Sequence, residues 1–144
     1  MAPLVSLAIR TLHVLAVTVL VGGTVALWYG YRSGALTSLR AARQYEWLFW
    51  ALLGVLVLTG VGNLGALGPP GPATDWGRTL LVKLLVILGL VLGSAVRTLS
   101  VVRVSDHLDR ATGRSTHTAF GRAYGVTATA LLALVVLAEV LAHV

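Results

Sequence analysis

Apolar residues in this chain do not alternate with polar ones in the short stripes of a soluble domain. They come in four long runs, roughly residues 4–31, 47–67, 79–102 and 123–144. Each run reaches the ~20 residues that an α-helix needs to cross hydrocarbon. Backbone N–H and C=O groups have no water to bond there, so each run must be helical. Short connections between four such helices favour antiparallel neighbours. The pattern therefore predicts an all-α integral membrane four-helix up-down bundle, with residues 1–144 forming one transmembrane domain.

Composition strengthens this reading and removes several chemistries. The chain is 57% hydrophobic and 11% charged, with a mean hydropathy of +0.88, whereas a soluble domain carries roughly a quarter charged residues. Its first partner is the lipid bilayer. Cys is absent, which excludes disulfides, thiolate metal sites and covalent C-x-x-C-H haem attachment. Any haem would be held non-covalently. The formal charge of +6 is concentrated in two short segments between apolar runs, as juxtamembrane charge is, so no nucleic-acid partner is expected. The first run resembles a secretory signal in its position. No Lys or Arg precedes Arg10, however, and the run is long enough to span, so a retained helix is expected.

Basic residues also give an orientation. Arg32, Arg40 and Arg43 flank the first connection, and Arg97, Arg103, Arg110, Arg114 and Arg122 flank the third, against Arg10, Arg78 and Lys83 at the opposite side. This asymmetry puts both Arg-rich connections in the cytoplasm and both termini outside. Trp28, Tyr29, Tyr31, Tyr45, Trp47, Trp50 and Tyr124 make an aromatic belt at the Arg-rich side, with Trp76 at the other. Residues 68–77, with three of the four prolines, are expected to form a stiff cap over the outer end. Residues 105–122, with Asp106, His107, Asp109 and His117, are read as a solvated cytoplasmic turn or short surface helix, since these groups lack metal-ligand spacing.

Ionisable groups inside the apolar runs carry the candidate chemistry, because charge in hydrocarbon is retained for a purpose. Counting ~1.5 Å per residue from the Arg-rich floor puts His13 about 28 Å up, His143 about 31 Å, and Lys83 and Asn63 about 30 Å. Glu139 stands about 25 Å up by the same rise. One polar group from each helix thus falls in a layer near the outer face. Glu139 and His143, four apart, share a face of the last helix, as Arg10 and His13, three apart, share a face of the first. An Arg10–Glu139 ion pair follows if tilt and side-chain length absorb about 8 Å. Two imidazoles on facing helices, His13 and His143, suit axial ligation of a haem iron, with Lys83 and Arg10 (or Arg78) facing the propionates. The alternative is direct metal binding by His13, His143 and Glu139, a set that suits Cu(II) or Zn(II) better than Cu(I). Each group also has a plainer use: His143 as an interfacial histidine, Lys83 and Arg10 snorkelling, and Thr59 and Asn63 bonding between helices. Gly22-Gly23, Gly54, Gly60, Gly62, Gly65, Gly89 and Gly93 are small enough for close helix contact or for approach of a flat cofactor.

Several short motifs bear a resemblance. Leu12-His13-Val14-Leu15-Ala16 with Val21-Gly22-Gly23, Leu58-Thr59-Gly60, and Trp76-Gly77-Arg78-Thr79-Leu80-Leu81-Val82-Lys83 look like the copper-resistance D (CopD) superfamily over about the first 100 residues. The resemblance implies a multi-pass four-helix unit of the cell inner (cytoplasmic) membrane associated with copper, corresponding to the core of longer proteins. It extends to HemJ-type porphyrinogen oxidases, which implies haem b, His13 as haem or metal ligand, and Lys83 as a site residue.

The resulting expectation is a haem b-binding membrane protein that passes electrons, with copper transport or resistance as the alternative. A third reading is a non-catalytic accessory subunit. A redox partner, a larger membrane complex and a homo-oligomer all remain open as partners, and the enzyme question, if answered yes, would be a membrane oxidoreductase.

Overall fold

The computed structural model describes the backbone of residues 2–67, 74–107 and 114–143, and the side chains of residues 4–60, 74–103 and 118–140. The described residues form four α-helices: α1 (Ala2–Ser33), α2 (Arg40–Leu67), α3 (Asp75–His107) and α4 (Arg114–His143). They alternate in direction, so the start of α1 and the end of α4 lie at one end of the bundle, and the first connection, with the end of α3 and the start of α4, at the other. The helices run further than the apolar segments at the Arg-rich end. There α2 begins at Arg40, α3 continues to His107 and α4 begins at Arg114, because Arg, Ala, Gln and Glu are good helix formers even where the chain has left hydrocarbon. The proline-rich stretch expected to cap the other end lies, over residues 68–73, outside the described residues. So do the side chains of Asp106, His107, Asp109 and His117.

Local signals set the ends that are described. Gly34 stands in the left-handed region (φ 76°), which glycine adopts without penalty, and it turns the chain out of α1. The Leu36 N–H then donates to the Gly30 carbonyl at 3.0 Å, returning the chain towards α2. At the other end of the bundle, Thr74 caps α3 by accepting the Gly77 N–H at 3.1 Å, which satisfies one orphan donor of the first turn.

The helices present their apolar residues outwards. Leu4, Leu58 and Val126 are each more than 70% exposed, and stretches of α1, α3 and α4 are long and apolar enough to cross a membrane. Such a surface would be untenable in water; the chain is a multi-pass membrane protein. α1 packs on both α2 and α4, and α3 packs on α4, while of the neighbouring pairs α2 and α3 touch least. A seven-residue register, two helical turns per step, links the buried leucines to the cavity-lining residues on one side and the buried polar groups on the other. His13, Leu20 and Leu27 step down α1, and Lys83, Leu90 and Arg97 step down α3, while Glu46, Leu53 and Gly60 climb α2 and Tyr124, Leu131 and Ala138 climb α4. Leu20, Leu53, Leu90 and Leu131, all buried, thus form one layer across the bundle, about 10 Å from the polar groups on either side.

Among the glycines with described side-chain surroundings, Gly23 makes a close helix contact. A β-carbon there would collide with the Tyr45 ring, whose hydroxyl donates to the Leu20 carbonyl at 2.7 Å and bonds Thr24 at 2.7 Å. Gly22, Gly54, Gly60, Gly89 and Gly93 have open space where a β-carbon would stand, so tight packing between helices does not account for them. Gly23→Ala is expected to lower stability by about 1–3 kcal/mol through overpacking, whereas Gly22→Ala should be near neutral. Thermal unfolding of the two variants in detergent checks this contrast.

Candidate functional site

Two polar centres flank the leucine layer. The one nearer the termini is a cavity of about 620 Å³ walled by all four helices. His13 of α1, Trp76 and Lys83 of α3 and Glu139 of α4 line it, over a floor that includes Leu20, Leu53, Leu90 and Leu131. The weak contact between α2 and α3 leaves room for it.

His13 is the best-defined group there. Its Nδ1 lies 2.6 Å from the Thr59 Oγ1. The single Thr59 hydroxyl proton is directed to backbone carbonyls, that of Val55 at 2.8 Å and that of Leu56 at 3.2 Å. With its proton so directed Thr59 accepts from His13, an assignment from the bonding pattern that puts a proton on Nδ1 and, in the neutral ring, leaves the lone pair on Nε2. A bond of this kind on the far nitrogen fixes the ring orientation and tautomer, as it does for metal-binding imidazoles.

Lys83 faces the same cavity, half-buried, with no hydrogen-bond or ion-pair partner among the described residues. A positive charge held in apolar walls calls for an anionic counterpart. Glu139 contributes a carboxylate to the wall. Arg10 is exposed and does not line the cavity, and no ion pair joins it to Glu139, because it sits on a face of α1 turned away from the cavity wall. The side chains of His143 and Asn63 lie outside the described residues, although α4 reaches His143. Of the groups expected at one height, His13 and Lys83 meet in this cavity; Glu139, expected somewhat lower, joins them, and Thr59 enters as the residue that orients His13.

The second centre, towards the Arg-rich end, escapes a reading of apolar runs. Glu46 and Arg97 form an ion pair with both side chains under 5% exposed. Arg97 donates from Nε to Oε1 at 2.9 Å and from Nη2 to Oε2 at 3.1 Å, the bidentate arrangement that suits guanidinium and carboxylate. Tyr124 donates to Oε1 at 2.7 Å and Thr98 to Oε2, and the Trp50 Nε1 donates to Thr98 at 3.0 Å. Arg97 also donates from Nη1 to Thr127 at 2.7 Å and lies over the rings of Phe49 and Tyr124. Every oxygen of the carboxylate is satisfied, which makes this centre a lock between α2, α3 and α4 rather than an open ligand site. It closes the seam where α2 and α3 otherwise meet least.

Among the described residues no three His, Asp or Glu side chains come together to hold a metal ion. The cavity therefore supplies an incomplete set, one imidazole nitrogen and one carboxylate beside an ammonium. Such a set suits a ligand that brings part of its own coordination shell.

No curated protein and no solved structure matches the chain. A family profile does, over residues 39–141, most of the chain. The match takes in α2, α3 and nearly all of α4, including Thr59, Lys83 and Glu139, but begins after α1 and so does not extend to His13. On that match the chain belongs to the copper resistance protein D (CopD) family.

Proposed function

We propose that this protein handles copper at the termini-end cavity, taking the ion from the outer side of the cell inner membrane. The observation that carries this reading is His13, with Nδ1 committed to Thr59 and Nε2 left to the cavity, in a chain of a family described by copper resistance. His13 Nε2 is the first ligand and Glu139 supplies an oxygen from α4. With no Cys and a single Met, these donors favour Cu(II) over Cu(I). An incomplete donor set suits copper as cargo, since an ion in transit must bind well enough to enter and weakly enough to leave. Lys83 opposes a bare cation, so the ion enters with anionic co-ligands that Lys83 holds.

A second reading is favoured by cavity size and by Lys83. About 620 Å³ exceeds the needs of a single ion and falls in the range of sites for organic cofactors. A haem b could take His13 as an axial ligand and place a propionate by Lys83, which would make the protein an electron carrier. Metal analysis and an absorption spectrum on one purified sample separate the two. Copper near one equivalent without a Soret band supports the first reading, a Soret band that disappears in His13→Ala supports the second, and neither signal after expression with both supplied refutes both.

A further inference from the structure

A second cavity, of about 820 Å³, lies between α3 and α4 and is not used by the copper reading. Gly89, Gly93, Ser94 and Arg97 line it from α3, and Ala123 and Thr127 from α4. Val96 and Val126, both largely exposed, stand at its rim, so it opens to lipid. A β-carbon at Gly89 or Gly93 would meet nothing within 4 Å, so this is unfilled space and not a tight helix seam.

Ser94 gives the groove its chemistry. It is 1% exposed, and its Oγ has no hydrogen-bond partner among the described residues. Thr18, Thr24, Ser100, Thr127 and Thr129 each bond the carbonyl four residues back, the usual solution for a hydroxyl in a helix. Ser94 does not. A buried hydroxyl without a partner is unfavourable, which points to a partner that comes from outside the chain. Thr127 and Ser100 have their protons directed to the Ala123 and Val96 carbonyls. Arg97 uses three of its five N–H groups on Glu46 and Thr127. The hydrogens left over belong to Ser94 and Arg97, so the groove offers donors and asks for an acceptor.

Depth narrows the acceptor. Ser94 is nine residues from Arg103, about 14 Å along the helix, which puts it near the middle of a hydrocarbon layer about 30 Å thick. Phospholipid esters stay at the interface, so a carbonyl at this depth belongs to an uncharged molecule dissolved in the hydrocarbon. We propose that the α3/α4 groove binds the head of a membrane-soluble quinone, a flat ring with two carbonyl acceptors and an apolar tail. One carbonyl accepts from Ser94, the ring lies over Gly89 and Gly93, and the tail leaves past Val96 and Val126.

The test uses the full chain in phospholipid nanodiscs and a photoreactive azidoquinone with a ten-carbon tail. Saturable labelling of α3 and α4 is expected, displaced by decylubiquinone and not by decylbenzene. Ser94→Ala should raise the quinone concentration for half-labelling about three- to tenfold, and Gly93→Leu, which fills the groove, should abolish specific labelling. Diffuse labelling, equal displacement by decylbenzene, or an unchanged Ser94→Ala profile would overturn the proposal. So would a Gly93→Leu protein that still labels but changes oligomeric state, which would assign the groove to a second copy. If Gly93→Leu does not fold, Ser94→Ala decides alone.

Discussion

Glu46→Ala is expected to destabilise the bundle by about 3–5 kcal/mol, the largest effect of any single substitution considered. The carboxylate receives two bonds from Arg97 and one each from Tyr124 and Thr98, and its removal leaves the Arg97 guanidinium buried without its anion. The loss should be read by unfolding in mixed micelles, where α2 is expected to detach from α3 first, because the pair joins the two neighbouring helices that otherwise contact least. Replacing both partners by apolar residues, Glu46→Leu with Arg97→Met, should recover much of the loss, since desolvated charge is no longer present on either side. Two single losses under about 1 kcal/mol that simply add would mean that water reaches the pair, contrary to its burial.

Thr59→Val is the second large expectation, and it acts on function. Valine keeps the shape but removes the acceptor for the His13 Nδ1–H, so the ring loses both its orientation and its fixed tautomer. Outer-shell losses of this kind weaken metal binding about 10–100-fold. The fold should lose only about 1 kcal/mol, the usual worth of one bond between membrane helices. Thr129→Val, which removes an exposed hydroxyl bonded only to the Gly125 carbonyl, serves as the control and should leave copper affinity unchanged. Equal effects of the two would show that helix packing, not the His13 bond, governs the site.

Residue patterning revealed the fold class because hydrocarbon enforces it: four apolar runs of sufficient length have no alternative to helices. Counting heights from the Arg-rich floor puts His13 and Lys83 at one level with Glu139 somewhat below, and these three line one cavity, while the side chains of His143 and Asn63 lie outside the described residues. Direction around each helix could not be obtained that way, and so Arg10 was grouped with His13 although it is exposed and lies off the wall. The Glu46–Arg97 centre was overlooked for a related reason. Both residues fall near the ends of apolar runs, where charge normally marks the interface, and Arg97 was counted with the floor. The available signal was the seven-residue register: Glu46, Leu53 and Gly60 on α2 and Lys83, Leu90 and Arg97 on α3 put both charges on the core stripe. The role of Thr59 in orienting His13 required coordinates, because forty-six positions separate the two residues.

The α1 residues bear most on the functional account. The family match covers α2 to α4, yet the imidazole on which the proposed copper site rests comes from α1. Equilibrium dialysis of Cu(II) against purified wild-type protein and His13→Ala, in the same detergent and with equal chloride, tests this most directly. The account predicts saturable binding near one ion per chain for the wild type and its loss in His13→Ala. A His13→Ala protein that binds copper with wild-type stoichiometry and affinity would contradict it.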